Sequence, residues 1–213
     1  MAKPPYLCAP TGRNTPSRFV EWGWRWAPMG NPWHFAIGNR TDVNRSKLLS
    51  EAMERGQPIW QFDTDVCALQ SFEFMLSIID EDVKAGFDAV VAPTGGPTGV
   101  VNAQAMDGHQ IPAKLTTPLE IKGPLAGCWY MSTKGLLKLK PIGYQEATDR
   151  SITTMFCSFA PPAPTKDKPN PHFMTEDFDL AVRFREEGGR ICIDPRLHVV
   201  HLEKRDIAVR GDL

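Results

Sequence analysis

The order of apolar and amphipathic stretches through the first 93 residues constrains this chain more than any other feature. Tyr6-Leu7-Cys8-Ala9-Pro10, Trp33-His34-Phe35-Ala36-Ile37-Gly38, Ile59-Trp60-Gln61-Phe62 and Phe87-Asp88-Ala89-Val90-Val91-Ala92 are short runs of the kind that form strands buried on both faces. Stretches with helical spacing separate them. The first helix starts near Thr15-Pro16, since Thr caps and Pro suits the first helical position. The second, capped by Asp42 or Asn44, carries Leu48, Leu49, Ala52 and Met53 and stops at Gly56. The third covers residues 71–85 and sets Phe74, Met75, Ile78, Ile79 and Val83 on one stripe. Strand and helix in strict alternation predict an α/β fold with a mostly parallel central sheet flanked by helices. Trp22, Trp24 and Trp26 alternate within the first helix; core packing is their expected role, and an exposed contact patch is the alternative.

Beyond Pro93 the alternation stops. Thr94-Gly95-Gly96-Pro97-Thr98-Gly99 and the polar stretch to Pro118 read as loops or a small hairpin. Gly123-Pro124-Leu125-Ala126-Gly127-Cys128-Trp129-Tyr130-Met131 leads into a short helix over 132–139. The segment 160–171 holds too many prolines for regular structure, and with Lys166 and Lys168 it reads equally as a lid over a diphosphate or as a linker. From Thr175 a helix begins, with Glu176, Asp177 and Asp179 in its first turn, Phe178, Ala181, Val182 and Phe184 as apolar contacts, and Gly188-Gly189 as its stop. Strands over 190–194 and 197–201 follow, with Pro195 as the turn between them.

A length of 213 residues supports one substantial core, so one domain over 1–213 is expected, divided at about residue 93 into a half spanning 6–93 and a half spanning 94–213. Charge nearly cancels, at 24 Lys+Arg against 25 Asp+Glu, which gives no global field for holding a polyanion. The five cysteines are scattered without a C-x-x-C pair and read as reduced core residues. No signal-like leader and no membrane-length apolar run is present, so a cytoplasmic protein is the expectation.

Chemistry concentrates in two places. Asp63-Thr64-Asp65 directly follows the strand that ends at Phe62, where ligands bind in open α/β sheets. Two aspartates one residue apart can hold a Mg²⁺ or Mn²⁺ ion together with the oxygens of a substrate diphosphate. Glu176 and Asp177 form the second acidic site. Their bland reading is stabilisation of a helix N-terminus, where each charge contributes about 0.3–1 kcal/mol.

Taken with Gly127-Cys128-Trp129-Tyr130-Met131 and with the ordered series Thr175-Glu176-Asp177, Arg183, Gly188-Gly189, Asp194-Pro195 and His201, these motifs resemble the GT-A-fold glycosyltransferases that use nucleotide-diphosphate sugars. The likeness is to family-2-type members, with features shared with retaining ones, and it covers nearly the whole chain. It implies a single Rossmann-like GT-A domain and transfer of a sugar from a UDP- or GDP-sugar to a hydroxyl acceptor. By the same resemblance Asp65 and His201 ligate Mn²⁺ or Mg²⁺, Asp63 touches the metal through water or binds the donor ribose, and Pro10, Thr11 and Arg45 contact the nucleotide. Asp177, with Glu176 as second choice, is the base that accepts the acceptor proton. Inversion and retention both remain open, as do a glycan, a lipid carrier, a protein and a modified nucleobase in DNA as acceptor. The chain departs from the pattern after its second strand, where Gly38-Asn39-Arg40-Thr41 lacks the acidic residue with which many relatives bind the base. Two other functions stand beside this one: a nucleotidyltransferase on a similar fold, and a non-catalytic nucleotide-sugar or glycan-binding module.

Overall fold

The computed structural model describes residues 3–11, 17–94, 100–112, 115–147, 150–158 and 175–202. The expected helix start at Thr15-Pro16, most of the Gly-Pro loop after Thr94 and the whole of 160–171 lie outside these residues.

The first half alternates as expected. In chain order come β1 (Tyr6–Pro10), α1 (Ser17–Trp26), β2 (His34–Ala36), α2 (Thr41–Arg55), β3 (Ile59–Phe62), β4 (Val66–Ala68), α3 (Phe72–Lys84) and β5 (Ala89–Val91). The second half adds β6 (Val100–Ala105), β7 (Gln110–Pro112), β8 (Leu119–Gly123), β9 (Cys128–Met131), α4 (Thr133–Leu136), β10 (Gly143–Glu146), β11 (Ile152–Met155), α5 (Glu176–Glu186), β12 (Ile191–Ile193) and β13 (Val199–His201).

Nine strands form one sheet in the order β2-β1-β3-β9-β5-β12-β8-β6-β7. Pairing is parallel at β1/β2, β1/β3 and β5/β12 and antiparallel elsewhere. Through the antiparallel insertion of β9, strands β1, β2, β3, β5, β6 and β12 still point one way, and only β7, β8 and β9 oppose them. Strands of the two sequence halves are therefore interleaved: β9 sits between β3 and β5, and β12 beside β5. Helices cover both faces, as the resemblance implied. Leu48, Leu49 and Ala52 of α2 and Leu180, Ala181 and Phe184 of α5 share one apolar cluster with Tyr6, Cys8 and Ile59. Phe19 of α1 and Met75, Ile78 and Ile79 of α3 share the opposite one with Leu7, Ala9, Trp60 and Phe62. Strand periodicity assigns alternate residues of β1 and β3 to the two faces.

Several local expectations change. Helix α2 begins at Thr41, one turn earlier than capping by Asn44 required. Its N-cap position is Arg40, without a side-chain bond, while Asn44 is turned inward to donate from Nδ2 to the Thr11 carbonyl. Thr175 holds the N-cap position of α5 but its hydroxyl makes no capping bond. The helix after Met131 is shorter than expected, ending at Leu136. The region before Pro118 does contain a hairpin, β6/β7, whose partner β8 was not foreseen. In α1 the tryptophans divide by helical geometry: Trp22 and Trp26 stack on each other against Phe62, while Trp24, on the other side, is 82% exposed. All five cysteines are free and buried. No helix among the described residues is long and apolar enough to cross a membrane.

Candidate functional site

The ends of β1 and β3, the first turn of α5 and the middle of α2 meet around one side chain. Arg45, in the second turn of α2, is only 1% exposed. Its Nη1 donates to the Leu125 carbonyl at 2.8 Å and lies 2.9 Å from Asp177 Oδ1. Its Nη2 lies 3.5 Å from Asp63 Oδ1 and 3.6 Å from Glu176 Oε1. One guanidinium thus faces three carboxylates from segments far apart in sequence. A buried cation of this kind needs opposite charges close by, and a planar fork serves several at once.

Asp63 is held on its other side by the glycine segment. Its N–H donates to the Gly127 carbonyl at 2.6 Å, and the Gly127 N–H donates to Asp63 Oδ2 at 3.0 Å. Gly127 has φ of 69°, and a Cβ there would stand 2.6 Å from Thr94 Cγ2, so position and conformation both demand glycine. Thr11, at the end of β1, is buried beside the end of β2, its N–H bonded to the Ala36 carbonyl and its own carbonyl to Asn44. Pro10 precedes it as the last residue of β1.

The electrostatics follow from three acids sharing one base in a dry setting. Burial pushes the Glu176 carboxyl up to about 7, with Arg45 pulling back and Asp177 adding repulsion. Burial likewise raises Asp63 to about 6 against the pull of Arg45, with Asp177 and Asp65 opposing its ionisation. Burial alone would lower the Arg45 guanidinium, but Asp177 and Asp63 outweigh it and hold it above its ordinary value. Asp177 Oδ1 is buried and makes no aligned hydrogen bond despite its proximity to Arg45, and Arg45 Nε also lacks a partner. Gln61, two residues before Asp63 and hence on the same strand face, is fully buried with both amide atoms unpaired.

Asp65 and His201 form a separate pair. Strand β13 runs antiparallel to β4 with His201 opposite Val66, and the Leu202 N–H donates to the Asp65 carbonyl at 2.5 Å. This brings His201 Nδ1 to 3.9 Å from Asp65 Oδ2, with side chains 47% and 59% exposed. The histidine joins a two-stranded ribbon rather than the main sheet. Among the described residues no three His, Cys, Asp or Glu side chains gather as a ready cation cage. An accessible oxygen and nitrogen at this spacing nevertheless suit two ligands of one cation whose other positions go to water or phosphate oxygens. Asp63 is held at both oxygens, by Gly127 and Arg45, while its side chain stays 31% exposed.

Sequence reasoning read Arg45 as a nucleotide contact, yet its charge is turned wholly toward protein carboxylates and the Leu125 carbonyl. It also missed a cavity of about 400 Å³ at the end of β2, where Gly38, Asn39 and Arg40 meet Gln145 and Glu146 of β10. An acidic side chain does line this cavity, brought to it by the β10/β11 hairpin more than a hundred residues on. No local pattern could have announced it.

No protein-family model and no curated protein matches the chain. Solved structures do. A197 from STIV superposes with a TM-score of 0.59 at 11% identity, over 97% of this chain and 98% of that one. GalNAc-T7, crystallised with UDP, GalNAc and Mn²⁺, superposes with a TM-score of 0.51 at 11% identity; 92% of this chain is covered, but only 44% of that one. Apo UDP-glucose pyrophosphorylase is more distant, at a TM-score of 0.40 and 12% identity, over 89% and 73%. The fold is that of the Rossmann-like GT-A class, a mixed α/β sheet between helices, and the chain is comparable in size to the STIV protein.

Proposed function

We propose that this chain transfers a sugar from a nucleoside-diphosphate donor to a hydroxyl acceptor, with Mn²⁺ or Mg²⁺ held by Asp65 and His201. The observation that carries this reading is the meeting of Asp63, Glu176 and Asp177 on buried Arg45, beside the Asp65/His201 pair, at the strand ends where GT-A-like sheets bind ligands. The imidazole nitrogen favours Mn²⁺, because Mg²⁺ prefers an all-oxygen shell. Bound there, the cation supplies Lewis-acid neutralisation of the leaving diphosphate.

The protein's own groups perform the rest. Asp177 reaches the site from the first turn of α5 with its buried Oδ1 turned to Arg45 and its side chain 19% exposed, and the remaining carboxylate oxygen is the one assigned to accept a proton from an attacking hydroxyl. Arg45 keeps that carboxylate in place; it is a positioning residue, not a phosphate ligand. Glu176, on the same helical turn, shares Arg45 and is the weaker candidate for the base. Asp63, fixed by the Gly127 amide, presents its edge toward the donor ribose or a metal-bound water. Thr11 and Pro10 border the nucleotide at the end of β1, and Glu146 offers an acceptor for the N–H edge of the base in the cavity beside β2.

Thermal shift with UDP and GDP, each with and without Mn²⁺, tests binding; release of nucleoside diphosphate from UDP- and GDP-sugars tests turnover. Asp65→Asn is expected to lose the Mn²⁺-dependent shift. Asp177→Asn is expected to keep the shift and to lose at least a hundredfold in rate, the scale of general base catalysis at ~10²–10⁴-fold. Full turnover by Asp177→Asn removes the base assignment. Pyrophosphate release in place of nucleoside diphosphate identifies a nucleotidyltransferase, and binding without turnover a recognition module.

A further inference from the structure

Between α1 and residues 68–70 at the end of β4 lies a cavity of about 440 Å³ that none of the roles above employs, within the size range of ligand sites. Its floor is aromatic. Trp22 and Trp26 stack with ring centroids 5.1 Å apart, and each indole N–H is already engaged, by the Ala68 carbonyl at 3.2 Å and the Gln70 carbonyl at 2.7 Å. The rings therefore offer only their carbon surfaces to a ligand. The walls carry charges of both signs, Arg18 and Arg25 with Glu21, all exposed on α1.

The same two bonds orient the groove. Four residues of helix, about 6 Å, match two residues of strand-like chain, about 6.6 Å, so α1 and the segment from β4 to Gln70 run side by side in register. One helical turn back from Trp22 is Arg18, and two residues back from Ala68 is Val66, the neighbour of Asp65. Ala68, at the edge of the groove, lies three residues, about 10 Å, along the chain from Asp65, within the reach of a chain-like acceptor.

We infer that this groove binds the acceptor, and that the acceptor is a saccharide chain. Carbohydrate needs an apolar platform under its C–H face, together with donors and acceptors around its rim, because every hydroxyl is both. The stacked indoles provide the first and the arginines with Glu21 the second. A nucleic-acid strand would want stacking with cations only; Glu21 opposes it, and the chain's net charge of −1 gives no supporting field. The inference rests on the proposed function for its term "acceptor", and on the groove alone for its ligand class.

The experiment is a titration of the whole chain, followed by tryptophan fluorescence, with maltotetraose, cellotetraose and chitotetraose, and with an oligothymidylate of eight residues as the contrasting probe. At least one tetrasaccharide is expected to give a saturable change. Arg25→Ala and Glu21→Ala, both exposed and so compatible with folding, should each weaken it about tenfold, the equivalent of one hydrogen bond to a charged group. Arg25→Ala should leave the Mn²⁺-dependent UDP shift unchanged. No response to any tetrasaccharide, a response indifferent to both substitutions, or tighter binding of the oligothymidylate overturns the inference. If saccharide binding behaves as expected while no nucleotide shift is seen, the groove stands and the proposed transfer falls.

Discussion

Replacing Arg45 with methionine isolates the charge at the centre of the site, because methionine keeps much of the volume and none of the ionic partners. Three carboxylates and one carbonyl lose their shared counterpart: Asp177 at 2.9 Å, Asp63 at 3.5 Å, Glu176 at 3.6 Å and the Leu125 oxygen at 2.8 Å. Removing one member of a buried ionic group costs about 3–5 kcal/mol, since the remaining charges stay desolvated. That cost depends on pH in a calculable direction. Asp63 and Glu176 have folded-state pKa values raised to about 6 and about 7, so the native state holds their protons longer than the unfolded chain does. Raised carboxyls contribute stability that is complete below their unfolded values, near 4, and that is lost as pH climbs through 6 and 7. Arg45 pulls both down, so Arg45→Met pushes both higher and steepens the loss. Urea unfolding followed by tryptophan fluorescence should therefore show a deficit of about 4 kcal/mol at pH 8. At pH 5, where both carboxyls are protonated with or without the arginine, it should shrink to about 2 kcal/mol, representing Asp177 and the orphaned Leu125 carbonyl. A deficit equal at the two pH values, or near-wild-type stability at pH 8, refutes the view of Arg45 as an internal clamp.

A second carboxyl pair gives an independent pH test. Asp82 on α3 is 3% exposed, and burial followed by repulsion from Asp194 raises it to about 7 against the pull of Arg196. Asp82→Asn should unfold like wild type near pH 3 and become more stable than it by about 3 kcal/mol at pH 8, the gap opening between pH 4 and 7; a gap that does not vary with pH contradicts the shift. Gly127→Ala should cost about 2–3 kcal/mol, combining an αL penalty of ~1–2 kcal/mol with the contact on Thr94. Adding Thr94→Ser removes the Cγ2 in question and should return the steric part but not the conformational part, a coupling that a double-mutant cycle reads directly.

The parts of the fold legible in sequence were those where burial is two-sided. Strands β1, β3 and β5 are buried at every residue, so their apolar runs stood out whatever the tertiary context, whereas β9, equally buried, was read only as the approach to a helix. Strand β8 escaped because its Leu119 and Lys122 are exposed and only Ile121 and Gly123 are buried, which in sequence looks like another polar loop. Strand β4 escaped for a different reason. It is three residues long and exists because β13 returns from the far end of the chain to pair with it. The site divides along the same line. Asp63, Asp65, Glu176 and Asp177 were visible because acidic residues following an apolar strand or opening a helix form a local pattern. That Arg45 unites three of them, that Glu146 reaches the end of β2, and that Gln61 lies buried beneath Asp63 are consequences of packing, to which no short window of sequence has access.

Arg45, buried, and Arg196, 42% exposed, each gather buried carboxylates, and the contrast bears on which of the two groupings is a site. Asp194 is fully buried, yet Arg196 meets both of its oxygens through Nε and Nη2, and the Arg196 amide adds a third bond. Asp82 beside it leaves its Oδ2 without a hydrogen bond, and burial with repulsion from Asp194 raises this carboxyl to about 7. This grouping ties α3 to the turn before β13. Around Arg45 the deficits do not close. Arg45 Nε and both amide atoms of Gln61 make no hydrogen bond among the described residues, and Asp177 Oδ1 has the Arg45 charge beside it but no aligned hydrogen bond. Unsatisfied buried polar groups cost about 1–3 kcal/mol each, and a fold selected for stability alone would bring them to zero. Those atoms are closed to solvent; what the protein leaves open beside them are the partly exposed Asp63 and Asp177 and the exposed Asp65/His201 pair, the groups to which the proposed donor and acceptor are assigned.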